Sequence, residues 1–449
     1  MLKPWSACAL SGTRHGEKVD RLEILDRPSY TGSSRPTPAE HPKPSVRRLV
    51  KLAVLVASLG MAAGLAELAL RVSHYGEANR TPLQKLMEYD PLLGWRHKRN
   101  VSGDMVSDEY RVNVHYNAEG WRDPAEKFGK RPNVFRIVVL GDSFVDGYTI
   151  PVQDRFTEVL EANLGSQFDV INLGVAGYST DQELLLLDQE GWKYEPDLVV
   201  LAFYYNDIWG NGSQHFSEST RTQKPVFFLD AGGNLSLSNV PVPHPASVLQ
   251  DHFRLYDLVR TAVKKNRLLY SAAVKAGLAE RNLPDDSRPA PTGAAGGAEE
   301  FAVYHSTETA ELAREWSITQ ALLRKMNQEV VKRGARLMTL YVPTRIELSP
   351  AEWSSARLPP DYDPSVVVRH LLKICQAEGI PYLDPSDRFT TVGTDRLYYS
   401  RDPHWNAAGH RVVGETLAEY IRHCAASGAQ ISQCDSRYST PAQRRLALQ

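Results

Sequence analysis

Three apolar runs, Val134 to Leu140, Val170 to Leu173 and Leu198 to Phe203, each break off at glycine or small polar residues just before a helix-forming stretch. Near-continuous apolar runs of this length are buried on both faces, and their alternation with helices belongs to a parallel sheet with right-handed crossovers. The carboxyl ends of such strands line up along one edge, where ligands bind. The pattern therefore confines the chain to the α/β class and sets three short corners side by side. They are Gly141-Asp142-Ser143-Phe144, Gly174-Val175-Ala176-Gly177-Tyr178 and Asn206-Asp207.

The same alternation resumes downstream. Leu312, Trp316, Leu323, Met326 and Val330 line one side of a long helix, and Leu337 to Val342 reads as a strand. A helix over Val366 to Ala377 and a last short strand over Ile380 to Leu383 follow. After Gly177, Thr180 with Glu183 has the form of a capping box, which predicts a helix start there. The final helix shows Val413, Leu417, Tyr420, Ile421 and Cys424 on one face, which puts the preceding Asp402-Pro403-His404-Trp405 near its beginning.

A serine at the mouth of a buried strand, with a helix N-terminus behind it, stands where a nucleophile can be exposed. A hydroxyl is a weak nucleophile until a base within hydrogen-bond reach takes its proton, and imidazole suits that task near pH 7. Each residue also has a plainer reading. Gly-Asp-Ser serves as an ordinary turn, Gly177 as a turn glycine, and Asn206-Asp207 as a cap. His404 could be a plain helix-start residue and His410 is expected to pack rather than act as a second base. Trp405 is expected over the final helix, with a carbohydrate-facing role as the alternative.

In order and type the four blocks resemble the SGNH (GDSL-type) hydrolase superfamily, over roughly Val134 to Asp207 and Ala310 to Cys424. The resemblance implies a three-layer, flavodoxin-like α/β fold and an acyl-serine mechanism. It also implies roles: Ser143 as nucleophile and first oxyanion donor, Gly177 as backbone donor, Asn206 as side-chain donor, His404 as base and Asp402 as the acid that orients it. Two departures are visible. Tyr204 stands where the family's third block has glycine, and Asp402 lies two residues before His404 where the family spaces its carboxylate three before, a place held here by Arg401. The Asp-x-His-Trp spacing is similar to that of alginate-type polysaccharide O-acetyltransferases, which keeps acyl transfer beside hydrolysis.

The rest of the chain sets the context. Residues 1–46 are polar and rich in Pro, Ser, Thr and Arg, a disordered cytoplasmic tail. Residues 47–71 hold the apolar run Leu52 to Ala66, interrupted at Glu67, with Lys43, Arg47, Arg48 and Lys51 on its N-terminal side. This reads as a single-pass anchor with the N-terminus inside and the catalytic part outside; a cleaved export signal and a buried soluble helix are the alternatives. Residues 81–130 form a β-rich flap, and 131–425 the hydrolase domain, with an insertion at about 208–306 and a C-terminal tail over 426–449. The insertion carries a hairpin, Val226 to Asp230 and Leu235 to Val240, and sits where it could select substrate. Cys424 and Cys434 are close enough to bridge in an exported domain.

A formal net charge of -1, with no basic stripe interleaved with aromatics, gives no reason to expect a nucleic-acid partner. No metal-ligand spacing is present and no cofactor is expected. The leading expectation is a serine esterase acting on small acyl groups, O-acetyl above all, of an acylated small molecule or an extracytoplasmic carbohydrate. The alternatives are a polysaccharide O-acetyltransferase using the same acyl-serine, and a glycan-binding or assembly protein that keeps the fold without the chemistry.

Overall fold

The computed structural model describes residues 46–73, 75, 81–123, 128–216, 222–243, 253–275, 301–356 and 358–426. The two expected tails, but for Val46 and Ala426, lie outside these residues. The chain divides into two units, Met1–Ala62 and Ala63–Gln449, the boundary falling inside the helix Val46–Val72. That helix has 27 residues and a mean hydropathy of 2.1 in its most apolar window, and none of its residues is buried. At 1.5 Å per residue it is about 40 Å long, enough to cross a hydrocarbon core of about 30 Å.

The second unit is built on a five-stranded parallel sheet. Its strands are β5 (Phe135–Leu140), β6 (Phe168–Asn172), β7 (Leu198–Phe203), β10 (Arg336–Tyr341) and β11 (Tyr382–Leu383), in spatial order β11-β10-β7-β5-β6. Ile137, Val138, Val139 and Leu140 are fully buried, as are Leu198 to Leu201, which is why these runs show no alternation.

The chain moves one way along the sheet from β5 to β6, then crosses back over β5 to β7 and continues to β10 and β11. Right-handed crossovers in opposite directions put their helices on opposite faces. Accordingly Phe156–Leu164 packs with the last helix, Ala407–Ala426, whereas Thr180–Gln189 packs with Ala310–Lys332. This is the flavodoxin-like order, and its reversal point lies between β5 and β7, the strands that lead to Ser143 and Asn206.

The flap comprises two antiparallel hairpins, β1 (Met87–Asp90) with β2 (Gly94–His97) and β3 (Val101–Val106) with β4 (Arg111–Tyr116). The second has its own small core of Leu86, Met105, Val112, Val114 and Tyr116. In the insertion, β8 (Val226–Leu229) pairs with β9 (Leu235–Ser238), within the span read from sequence.

Just before that hairpin, Lys224 is buried and donates to both Asp181 oxygens, at 2.7 and 2.6 Å, and to the Gly210 carbonyl at 2.7 Å. The insertion is thereby fastened to the helix that follows Gly177. Burial pushes the Asp181 carboxyl up to about 6, against the pull of Lys224.

One expectation of local structure is corrected. The helix after Gly177 starts with Ser179 as its N-cap, in extended conformation, and no capping box forms. Thr180 and Glu183 are both fully buried inside the first turn, with the Thr180 hydroxyl and both Glu183 carboxylate oxygens lacking hydrogen-bond partners among the described residues. Packing against the core has displaced the local cap that the spacing predicts. Cys424 is buried and disulfide-bonded, and Cys434, the partner expected from sequence, lies outside the described residues.

Candidate active site

Ser143 opens a four-residue helix, Ser143–Asp146, directly after β5. Asp142 caps it: its Oδ1 accepts from the Phe144 N–H at 2.9 Å, and burial pushes its carboxyl up to about 6. A Cβ at Gly141 would collide with the Val145 side chain, so the turn that presents Ser143 requires glycine at its start. Gly147, in the left-handed region at φ +64, ends the turn and donates to the Ser143 carbonyl at 2.9 Å.

The residues expected to act together do converge, although 261 positions separate Ser143 from His404. Ser143 Oγ lies 2.7 Å from His404 Nε2, and His404 Nδ1 lies 2.5 Å from Asp402 Oδ1. The spacing of two is accommodated because Asp402 folds back: its Oδ1 also accepts the His404 backbone N–H at 3.0 Å. Arg401, three residues before His404, has a side chain 77% exposed and pairs with Asp108 at 3.0 Å. Phe144 and Tyr148 hold the imidazole between them, at ring separations of 4.8 and 5.4 Å.

Electrostatics favour an ionised Asp402. Burial works against its charge, but the hydrogen bonds and attraction of His404, with a further bond from Tyr110, hold its carboxyl below the usual range. The Tyr110 hydroxyl donates to Asp402 Oδ2 at 3.2 Å, and burial with the nearby Asp402 charge pushes the phenol up to about 12, so it remains a donor.

Gly177 is in the left-handed region at φ +81, and a Cβ there would fall 2.5 Å from the Phe216 ring of the insertion. Among the described residues, neither the Ser143 nor the Gly177 backbone N–H has a protein acceptor. Two uncommitted donors at the mouth of β5 and β6 are what an oxyanion needs. Asn206 begins the helix Asn206–Asn211 after β7, half-buried, its Oδ1 buried without a partner among the described residues. Tyr204, noted from sequence as a departure, packs its ring against Phe144 at 4.7 Å and so backs the helix that begins with Ser143.

Trp405 is wholly buried against Phe144, Phe156 and Phe389, which removes the carbohydrate-facing alternative. His410 is also buried; its Nδ1 accepts the Phe156 N–H at 3.3 Å and its ring stacks on Phe156. Among the described residues no group of His, Cys, Asp or Glu could hold a metal ion. Sequence reasoning missed Glu109 and Tyr110, which carry no motif and reach the site only through tertiary structure, and Tyr148, five residues after Ser143.

Residues 299–446 match the family model described as the SGNH hydrolase-like domain of acetyltransferase AlgX. Over that segment the chain is similar to an SGNH hydrolase-like domain. The matched segment includes Asp402, His404 and Trp405. Among solved structures the SGNH-like domain is similar to an acetyl xylan esterase, AlAXEase, at 13% identity and a TM-score of 0.35, over 64% of this chain and 100% of that one. It is similar also to a lipase/acylhydrolase from Enterococcus faecalis, at 15% identity and a TM-score of 0.33, over 64% of this chain and 96% of that one. No curated protein sequence matches it.

Proposed function

We propose that this SGNH-like protein is a serine acyl-transfer enzyme that hydrolyses small acyl esters, O-acetyl groups above all, on an extracytoplasmic carbohydrate. The observation that carries the reading is the continuous bond chain Ser143 Oγ to His404 Nε2 and His404 Nδ1 to Asp402 Oδ1. In the first half-reaction His404 takes the Ser143 proton as Oγ attacks the ester carbonyl. The charge that gathers on the carbonyl oxygen meets the free N–H groups of Ser143 and Gly177 and the Asn206 amide. Collapse of the adduct transfers the proton from His404 to the departing alcohol and leaves an acyl-Ser143. Asp402 stays ionised throughout, stabilising the imidazolium. Water then attacks the acyl carbonyl as its proton passes to His404, and the acyl–Oγ bond breaks as His404 returns that proton to Ser143, releasing the acid.

A second reading has its own support. The matched family model is that of an acetyltransferase, and a sugar hydroxyl in place of water would turn the same acyl-Ser143 into a donor. Incubation with an acetylated glycan and an unacetylated acceptor separates the two. Free acetate alone supports the hydrolase, and acetyl appearing on the acceptor supports the transferase. The absence of a Ser143-dependent fluorophosphonate adduct in folded protein would reject both and leave a binding role.

We propose further that the helix Val46–Val72 serves as a single-pass anchor with the tail 1–46 cytoplasmic and the SGNH-like domain outside; its length, its hydropathy and the neighbouring basic residues support this reading. Carbonate washing of membranes tests this: an anchored chain stays in the pellet, and a processed export form is released shortened.

A further inference from the structure

The loop Ser400–His404 carries the acid and base but has no regular secondary structure to hold it. Its backbone is gripped by one carboxylate from the flap. Glu109 Oε1 accepts the Ser400 N–H at 2.7 Å, the Ser400 hydroxyl at 2.6 Å and the Arg401 N–H at 3.2 Å. Its Oε2 accepts the Arg401 N–H at 3.1 Å and the Asp402 N–H at 2.8 Å. Three successive N–H groups thus converge on a single anion, the arrangement in which a backbone concavity binds negative charge. The Ser400 hydroxyl, with these backbone bonds, holds the Glu109 carboxyl below its usual range.

The next residue reaches the acid itself. Asp402 spends Oδ1 on His404, and its other oxygen, Oδ2, takes the Tyr110 hydroxyl. The Tyr110 ring lies 5.3 Å from that of Tyr399, whose hydroxyl donates to the Thr149 carbonyl at 2.8 Å.

The hairpin tip is fixed in its turn. The Glu109 and Tyr110 N–H groups donate to Ser107 Oγ at 3.1 and 3.2 Å, and the Ser107 N–H donates to the Tyr110 carbonyl at 2.9 Å. At the other end of β4, the Tyr116 hydroxyl donates to the Asp146 carboxylate at 3.0 Å, on the helix that begins with Ser143. One hairpin therefore touches the supports of both nucleophile and acid.

We infer that Glu109 and Tyr110 are positioning residues of the acid–base pair, and that the β3–β4 hairpin completes the site by fixing Asp402 at its spacing of two from His404. The inference rests on the acyl-serine reading for its catalytic consequence. Without the Tyr110 hydroxyl, the Asp402 carboxylate is held by His404 alone and can turn about its side-chain bonds. Without the Glu109 carboxylate, the three loop N–H groups turn to water and the dyad loses its fixed distance from Ser143.

The test uses the full chain in detergent micelles with p-nitrophenyl acetate. In Tyr110→Phe, which keeps the ring and removes one donor to a charged acceptor, kcat is expected to fall about tenfold with KM within about twofold. Glu109→Gln is expected to fall at least as far, with an unfolding temperature close to that of the parent. In the Asp402→Asn background Tyr110→Phe should cost less than about twofold, because its hydroxyl acts through the Asp402 carboxylate. Equal losses in the two backgrounds, or a change confined to KM, would overturn the inference.

A readout that needs no turnover stands beside these. With 15N-histidine labelling, the downfield ring N–H proton of His404, identified by its loss in His404→Gln, should move in Tyr110→Phe and vanish in Asp402→Asn. An unmoved resonance in Tyr110→Phe overturns the inference even if the wild type proves inactive. Inactivity with a moved resonance rejects only the enzymatic reading.

Discussion

The two halves of the candidate site are built in different ways. On the nucleophile side, the turn that presents Ser143 is formed by residues within a few positions of it, the buried strand β5, the glycine that Val145 crowds, the Asp142 cap and the left-handed Gly147, with Tyr116 and Tyr204 packing on from outside. On the acid–base side, the loop bearing Asp402 and His404 is held by Glu109 and Tyr110, some 290 positions away in sequence. The first half is encoded locally and the second is a product of tertiary assembly. Substitutions should accordingly act differently, abolishing chemistry or the corner on one side and giving graded losses on the other.

The largest effect tests the first half. Ser143→Ala removes the acyl acceptor, and turnover of p-nitrophenyl acetate should fall by roughly a millionfold with the unfolding temperature unchanged. Residual activity near the parent's would place the nucleophile elsewhere and dissolve the comparison.

Next comes the acid. Asp402→Asn should cost about ten-thousandfold in kcat, because an amide can hold the imidazole in the wrong tautomer and cannot stabilise its cation. A loss of tenfold or less would mean that His404 is oriented by something other than Asp402.

A smaller loss is expected from Asn206→Ala, about a hundred- to a thousandfold in kcat with little change in KM, as for one oxyanion donor of three. Asn206 belongs to the locally built half, as the first residue of its helix, so the loss should not depend on the flap. Combining Asn206→Ala with Tyr110→Phe should give the product of the separate factors; strong non-additivity would show that the two halves are coupled through more than the substrate.

This division also explains what could be read in the sequence. The sheet strands were legible because burial on both faces leaves uninterrupted apolar runs, and the corners because Gly141, Gly177 and Asn206 sit where backbone or chemistry demands those residue types. The long helix Ala310–Lys332 and the helix Val366–Ala377 were legible from their apolar faces. What failed was local pattern overridden by burial: Thr180 and Glu183 have capping-box spacing, yet the core takes both and Ser179 starts the helix. Glu109 and Tyr110 could not be found at all, since Ser107-Asp108-Glu109-Tyr110 reads as an ordinary polar hairpin tip. Only the meeting of that tip with the loop before the last helix gives it a role.

The smallest expected effect bears on the spacing itself. Arg401 stands three residues before His404, but its side chain is exposed and its partner Asp108 is 85% exposed. Exposed pairs of this kind contribute little. Its backbone N–H, which Glu109 holds, survives substitution. Arg401→Ala should therefore change kcat by less than about twofold. The sharper form adds a carboxylate at that position where Asp402 has been lost. Arg401→Asp in the Asp402→Asn background should restore nothing, because Glu109 fixes the backbone at Arg401 and Asp402 alike and the loop cannot slide by one residue to bring the new acid to His404 Nδ1. Recovery of even a hundredfold would show a loop free to shift, and the acid–base half would then be set by chemistry within the loop rather than by the flap.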